Sequence, residues 1–313
     1  MFNFGKKKRK EKNNIGQPLG EESKQGINLE EAVNSIPLTL ASDDDDSIES
    51  TIAIRSGAEF LQVGSATCVG SREYQQDSLK VTKDFIEHIG KENLAIAILC
   101  DGMGGLKGGD LASNLCTSTI FNDFYSREEI TNYNKYLIRQ IYKVDDMVCS
   151  LVDENNNRMR CGSTLTAVIV DEDEMYWASV GDSRIYLIRN GEALQLTQDH
   201  NYLMKLMQDV KDGRITEAEA LSHPDKGALI SFIGMGGVKH ICSNSRPIKL
   251  CKGDYIVLCS DGLYRCLSDN AMVQILNESS DDMIVAANRL VYSALSTNMK
   301  SHDNTSVIVI KYI

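Results

Sequence analysis

Two kinds of hydrophobic pattern alternate along the chain. LAIAILC (94–100) and DYIVLCS (254–260) are almost unbroken apolar runs, which predicts strands buried on both faces. TLTAVIV (164–170), MYWASVG (175–181), RIYLIR (184–189) and TSVIVIKYI (305–313) are rich in β-branched and aromatic residues and predict further strands. Asn190-Gly191, between RIYLIR and EALQLT, is a hairpin turn signal. Residues 108–150 carry apolar positions at helical spacing, as do 200–221 and a segment near 281–297. Strands come in hairpins and helices in groups, so the fold class is α+β rather than an alternating parallel βαβ fold.

The first 54 residues follow neither pattern. Lys6–Lys12 is a basic run, GQPLGEESKQG reads as turns, and Asp43–Asp46 are four consecutive carboxylates. INLEEAVNSI has the pattern of one short helix, with Asn28 as its cap and Glu31 completing a capping-box-like pair. Residues 1–54 therefore read as a flexible charged tail with no partner specified, and residues 55–313 as one globular domain.

Composition narrows the function classes. A net charge of −11 argues against nucleic acid as a partner, because such binding draws its affinity from neutralised phosphates. Nine cysteines without a CxxC pair read as small buried hydrophobes in a reducing, cytoplasmic setting, and exclude a clustered zinc site. No apolar run reaches the length of a membrane span, and the basic start is not followed by a signal-peptide core.

The chemistry is carried by carboxylates at strand ends. LAIAILC leads directly into Asp101-Gly102, and DYIVLCS into Asp261-Gly262. Asp303 precedes the last strand. One Asp-Gly after a strand is a turn. Three carboxylates, each anchored to a rigid apolar segment, form an oxygen-only set suited to Mg²⁺ or Mn²⁺, with Gly102 leaving its carbonyl open to an ion. Arg72 and Asp77, in GSREYQQDS, add a guanidinium fork able to grip phosphate and a further carboxylate. GDSR (181–184) reads as a hairpin corner, Gly162-Ser163-Thr164 as hydroxyls bonding local backbone, and the glycines of 104–109 as a flexible loop. GMGG recurs at 234–237 without a preceding Asp and reads as loop composition. A dinucleotide GxGxxG, a P-loop and a GxSxG nucleophile elbow are all missing.

Six motifs in order then make a family resemblance: SREYQQDS (71–78), LCDGMGG (99–105), CGSTLTAVIV (161–170), SVGDSRIYLIRNGEALQLTQDH (179–200), LCSDGL (258–263) and HDNTSVIVI (302–310). From about residue 60 onward the chain resembles the metal-dependent protein phosphatases of the phosphatase 2C (PPM) family, in their bacterial branch. DGRITEAEALSHP (212–224) resembles that branch's flap. The resemblance implies a four-layer αββα sandwich of two antiparallel sheets flanked by helices. It implies two Mn²⁺ or Mg²⁺ ions per active site, with Asp101 bridging both and the Gly102 carbonyl on one of them. Asp261 and Asp303 would bind the other, Asp77 would act through water, Asn304 would support, and Arg72 would hold the substrate phosphate. The implied reaction is hydrolysis of phosphoserine and phosphothreonine, in phosphorylated proteins that are substrates of a Ser/Thr kinase, by a hydroxide shared between the ions. Met103 stands where animal members carry a His acid. The stretch NNNRMRC and Arg265 stand where a third ion would find its acids. That departure raises an alternative, a weakly active or inactive member acting as a phosphoprotein-binding regulator.

Overall fold

The computed structural model describes residues 60–82, 94–104, 108–127, 129–279 and 282–313, together with the backbone of 48–54. The basic run, the helix expected over INLEEAVNSI and the four-Asp block lie outside the described residues.

Strands β1 (Ile48–Ile54) and β2 (Leu61–Cys68) open the described chain and pair antiparallel. Residues 48–54, placed in the tail by composition, are therefore the edge strand of a sheet. IESTIAI alternates weakly and follows the acidic block, so its pairing with β2 rather than its own hydrophobicity defines it. Next come β3 (Asp77–Val81), β4 (Leu94–Gly104) and two helices, α1 (Gly108–Ser126) and α2 (Tyr133–Cys149). Gly108 and Gly109, expected in a flexible loop, form the first turn of α1 and are buried. β5 (Cys161–Ser163), β6 (Leu165–Asp171), β7 (Glu174–Val180), β8 (Arg184–Arg189) and β9 (Glu192–Gln195) follow as antiparallel neighbours or hairpins.

The helical stretch at 200–221 is two helices, α3 (Tyr202–Lys211) and α4 (Glu217–Ser222). Gly213, at φ +70°, stops the first, and a capping box between Thr216 and Glu219 starts the second. The short strands β10 (Cys242–Ser243) and β11 (Ile248–Lys249) both pair with β7. The chain closes with β12 (Tyr255–Cys259), α5 (Asp261–Tyr264), α6 (Asp269–Asn277), α7 (Met283–Leu295) and β13 (Thr305–Tyr312).

One sheet has the order β1-β2-β13-β12-β8-β9 and the other β10-β7-β6-β4-β3. They face each other across a core that includes Val63, Ala97, Leu99, Val168, Trp177, Ile185, Ile256, Leu258, Ile308 and Ile310. The outer face of the second sheet buries Ile96, Ile98 and Ile169 against Ile120, Phe124, Leu137 and Ile141 of α1 and α2. On the far side, α7 packs its Ala286, Ala287, Leu290 and Val291 face on β2 and β13. The result is the expected α+β sandwich of four layers. β4 is wholly apolar because both of its faces are covered, its odd positions toward the other sheet and its even positions toward the helices.

Antiparallel pairing has one consequence for position. β4, β7 and β12 end, and β3, β6, β8 and β13 begin, at the same end of the sandwich. Side-chain alternation then carries the inward-facing series past the apolar core at that end: Leu99 to Asp101, Leu79 back to Asp77, Leu258 to Ser260, and Ile308 back to Ser306 and Asn304.

Beside this end, Asp145 of α2 is only 2% exposed. Its two carboxylate oxygens accept from the backbone N–H groups of Gly234 (2.6 Å) and Gly237 (2.7 Å), fastening the second GMGG stretch to the helix layer. Removing the carboxylate takes the hydrogen-bond partner from two backbone donors and leaves a gap at a buried position in the helix. Asp145→Ala is expected to lower stability by roughly 3 kcal/mol, read as a lower midpoint in urea unfolding with little change in slope.

Candidate active site

Asp101 is fixed by its backbone. Its N–H donates to Thr164 Oγ1 (2.9 Å), and its carbonyl accepts from the Thr164 N–H (2.8 Å) and Ser163 Oγ (3.0 Å). The Gly-Ser-Thr step therefore bonds a segment about sixty residues away, where the sequence suggested only local bonds. Thr164 also shares a hydrogen bond with Ser183, tying this corner to GDSR (2.7 Å).

The glycine after each Asp is demanded by close packing of backbone. A Cβ on Gly102 would lie 2.1 Å from the Gly109 carbonyl oxygen and 2.6 Å from that of Gln76. A Cβ on Gly262 would lie 2.2 Å from the Asn304 carbonyl oxygen. Both contacts are far inside van der Waals range, so a side chain would push the neighbouring carboxylate out of place.

Asn304 laces the site. Its Oδ1 accepts from the Gln76 N–H (2.8 Å), and its Nδ2 donates to the carbonyls of Val69 (2.9 Å) and Tyr74 (3.1 Å). Ser71 and His302 bond each other twice, Ser71 N–H to the His302 carbonyl (2.9 Å) and His302 N–H to Ser71 Oγ (3.0 Å). The loop bearing Arg72 is thereby bound to the segment bearing Asp303, and Arg72 Nη2 donates to Asp303 Oδ2 at 2.6 Å. Asp77 is buried, with Oδ2 accepting from Ser260 Oγ at 2.8 Å, while Asp77 Oδ1 and Asp261 Oδ1 are buried without a hydrogen-bond partner.

All six residues singled out from the sequence thus gather at one end of the sandwich. Asp182 of GDSR joins them, 5% exposed, where sequence reading saw a hairpin corner. Arg265 donates to Asp261 Oδ2 at 2.8 Å and lies 3.7 Å from Asp182 Oδ2. The signal that could have found Asp182 was its position, a carboxylate directly after one apolar strand and before another. Next to it, Arg184 makes two bonds to Asp199 (3.0 and 2.8 Å) and stacks on Tyr264 at 3.7 Å, which steadies α5.

The electrostatics are unfavourable for carboxylates alone. Asp77 and Asp101 are direct cross-strand partners. Their Cβ atoms are then about 5 Å apart, where two unit charges repel by roughly 3 kcal/mol at an effective dielectric of about 20. Burial, then Asp77 and Asp261, push the Asp101 carboxyl well above the ordinary carboxylate range. Burial pushes Asp77 up to about 7 against its serine hydrogen bonds. Burial and then Asp261 push Asp182 up to about 6, with Arg265 opposing. Two guanidinium groups face five carboxylates, so with all five ionised three negative charges would be uncompensated.

Hard divalent cations fit this set: the donors are all oxygen, two carboxylate oxygens are buried without partners, and the charge is in deficit. Among the described residues, no three of His, Cys, Asp or Glu converge as a ready-formed cage. Arg72 and Arg265 each hold one of the carboxylates a cage would need.

Comparison with known proteins agrees with the geometry. The sequence profile of the family described as protein phosphatase 2C matches residues 61–203. The serine/threonine phosphatase stp of Listeria monocytogenes serotype 4b is 30% identical over 233 residues, covering 71% of this chain and 86% of that protein. The serine/threonine phosphatase of S. agalactiae superposes with a TM-score of 0.69 at 27% identity, over 80% of this chain and 99% of that one. The catalytic domain of the serine threonine protein phosphatase PstP, solved in complex with 2 manganese ions, superposes with a TM-score of 0.64 at 25% identity, over 81% of this chain and 99% of that one. The order of motifs, the two-sheet sandwich and the carboxylate cluster at its end have one common explanation: this chain belongs to the protein phosphatase 2C family.

Proposed function

We infer that this protein is a metal-dependent phosphatase acting on phosphoserine and phosphothreonine in proteins. The observation that carries the reading is the buried aspartate cluster at one end of the sandwich, with Arg72 at its mouth, 58% exposed at the side chain. The relatives it resembles are named as phosphatases, which favours an enzyme over a phosphoprotein-binding regulator.

Asp101, Asp261, Asp303 and the Gly102 carbonyl are the proposed metal ligands, with Asp77 acting from behind through water. Two ions are proposed: the first offsets two of the three surplus charges, and the second offsets the last together with charge on the incoming phosphate. When bound, Mn²⁺ or Mg²⁺ supplies positive charge to the phosphoryl oxygens and acidifies water. The chain's own residues do the rest. The Arg72 fork, now on Asp303, exchanges that carboxylate for the substrate phosphate. Asn304 keeps the Arg72 loop in register with the aspartates, so phosphate and attacking water meet in line. Met103 cannot donate a proton, so the leaving serine or threonine oxygen needs another donor, for which water in the site is proposed.

Arg265 sets this chain apart. Lying between Asp261 and Asp182, it supplies a cation where a further ion would need those same carboxylates. Residues 1–47 are proposed as a charged tail outside the catalytic domain. The substrates are proposed to be proteins phosphorylated by a Ser/Thr kinase. Among the described residues no helix is long and apolar enough to cross a membrane. The free cysteines, most of them buried, support a reducing compartment such as the cytoplasm.

Hydrolysis of p-nitrophenyl phosphate and of a phosphothreonine peptide is expected only with Mn²⁺ or Mg²⁺ and is expected to vanish in Asp101→Asn. Arg72→Ala should raise KM for the peptide about tenfold while Mn²⁺ still binds by calorimetry. Metal-independent turnover that survives Asp101→Asn would sink the reading. Arg265→Ala should add a weak Mn²⁺ site to the calorimetric isotherm, and an unchanged stoichiometry would remove Arg265 from that role. The raised pKa values of Asp77 and Asp182 fix a pH dependence. A carboxyl whose folded pKa is raised contributes stability below the ordinary range near 4, and that stability is lost as pH climbs through about 6 to 7. Metal-free protein should therefore melt lower at about pH 7.5 than at about pH 5.5, and Mn²⁺ should raise Tm more at the higher pH.

A further inference from the structure

A groove of about 810 Å³ lies beside the aspartate cluster and contributes nothing to it. Met103, Arg158, Arg160, Phe232 and Met235 are among its lining residues. Two arginines line it and, among the described residues, no Asp or Glu does, in a chain whose net charge is −11. Arg158 and Arg160 are both exposed. The acids closest to them along the chain are Asp153 and Glu154. Asp153 is occupied by its own loop, accepting from the N–H groups of Asn155 (2.9 Å) and Asn157 (2.8 Å).

The groove is built rather than incidental. Ser163 and Ile233 exchange both backbone hydrogen bonds, at 3.0 and 2.8 Å, which joins the wall bearing Phe232 to β5. Asp145 clamps Gly234 and Gly237 from below, and Arg158 Nη2 donates across the groove wall to the Gly234 carbonyl at 3.3 Å. The second GMGG stretch, which had no role as a sequence motif, is thereby part of a fixed wall.

The groove's place relative to the chemistry follows from strand register. Gly102, Met103 and Gly104 pair with Ser163, Gly162 and Cys161, so one wall continues directly from Asp101. Gly104 is three residues beyond Asp101, or about 10 Å at the rise of an extended strand. An extended peptide whose phosphorylated residue sits at the aspartates enters the groove about three residues away. There it meets two guanidinium groups for an acidic side chain, and Met103, Met235 and Phe232, whose thioethers and ring adapt to apolar neighbours.

We propose that this groove is a substrate subsite: it receives the polypeptide flanking the phosphorylated residue and selects an acidic side chain about three residues from it, through Arg158 and Arg160. The proposal rests on the phosphatase reading and names which phosphoproteins that site prefers.

The test is a scan with wild-type protein and Mn²⁺. Phosphothreonine peptides carry a single Glu moved through about four positions on each side, against an alanine parent. Glu about three residues away, on one side only, should raise kcat/KM about fivefold through KM, an advantage that fades as salt rises. The advantage should disappear in an Arg158→Ala, Arg160→Ala double variant and give way to a preference for Lys in Arg158→Glu, Arg160→Glu. Fluorescence anisotropy with the same peptides reads the groove without turnover. A Glu preference lost in the double variant supports the subsite even if no peptide is hydrolysed. A flat scan by both readouts, or a Glu preference that the double variant keeps, overturns it. Failure of the underlying reading is distinct, since it shows as no metal-dependent turnover of p-nitrophenyl phosphate at all.

Discussion

Mutual repulsion among Asp77, Asp101, Asp182, Asp261 and Asp303 is the force the rest of this structure must contain. Each carboxylate lies near others, and for Asp77, Asp101, Asp182 and Asp261 burial already disfavours the charged form. Isolated on a loop, such groups would swing apart into water. Here they sit at the ends of strands whose other residues are locked in the inter-sheet core, so separating them would mean unpairing a sheet. The hydrophobic sandwich acts as the clamp that holds like charges together until cations arrive.

The clamp is completed by hydrogen bonds that reach backbone rather than carboxylate. Thr164 and Ser163 fix the peptide units of Asp101, and Asn304 fixes the loop of Arg72. This division leaves carboxylate oxygens such as Asp77 Oδ1 and Asp261 Oδ1 without protein partners. A site meant to exchange ions and phosphate needs rigid positions and uncommitted oxygens, and satisfying the backbone instead of the side chains provides both. Arg72 and Arg265, like the Ser260 hydroxyl on Asp77, do reach carboxylate, and the two arginines are cations already paired within the site. Both side chains are about half exposed, and Arg265 is set between two of the aspartates.

Much of this was legible in the chain because strong local signals coincide with chemistry. The apolar runs before Asp101 and Asp261, and after Asp303, mark those carboxylates as strand-anchored, and ordered motifs carried Arg72, Asp77 and Gly102 with them. Weaker segments were harder to read. β2, LQVGSATC, mixes small and polar residues because a helix backbone lies against it: a Cβ on Gly64 would meet the Met283 carbonyl oxygen at 1.9 Å. β1 shows little pattern beyond its pairing with β2. Asp182 was hidden because a turn between strands explains Gly-Asp-Ser-Arg equally well. Gly108 and Gly109 looked like slack, yet α1 needs bare backbone there to pass close to Gln76 and Cys161.

By itself the sequence determined the strongly apolar strands, their alternation and therefore which residue of each faces the core, since side-chain direction has a period of two that local chemistry reveals. It determined the donor chemistry too: aspartates, an arginine and glycines in fixed order. Tertiary structure alone decided which strand ends coincide. Arg72 meets Asp303 across 231 residues of chain, and Ser260 meets Asp77 across 183. Such contacts depend on antiparallel register between distant segments, which packing of the whole core selects and no local pattern encodes. The same long-range packing set Asp182 beside Arg265 and raised a wall from the second GMGG stretch.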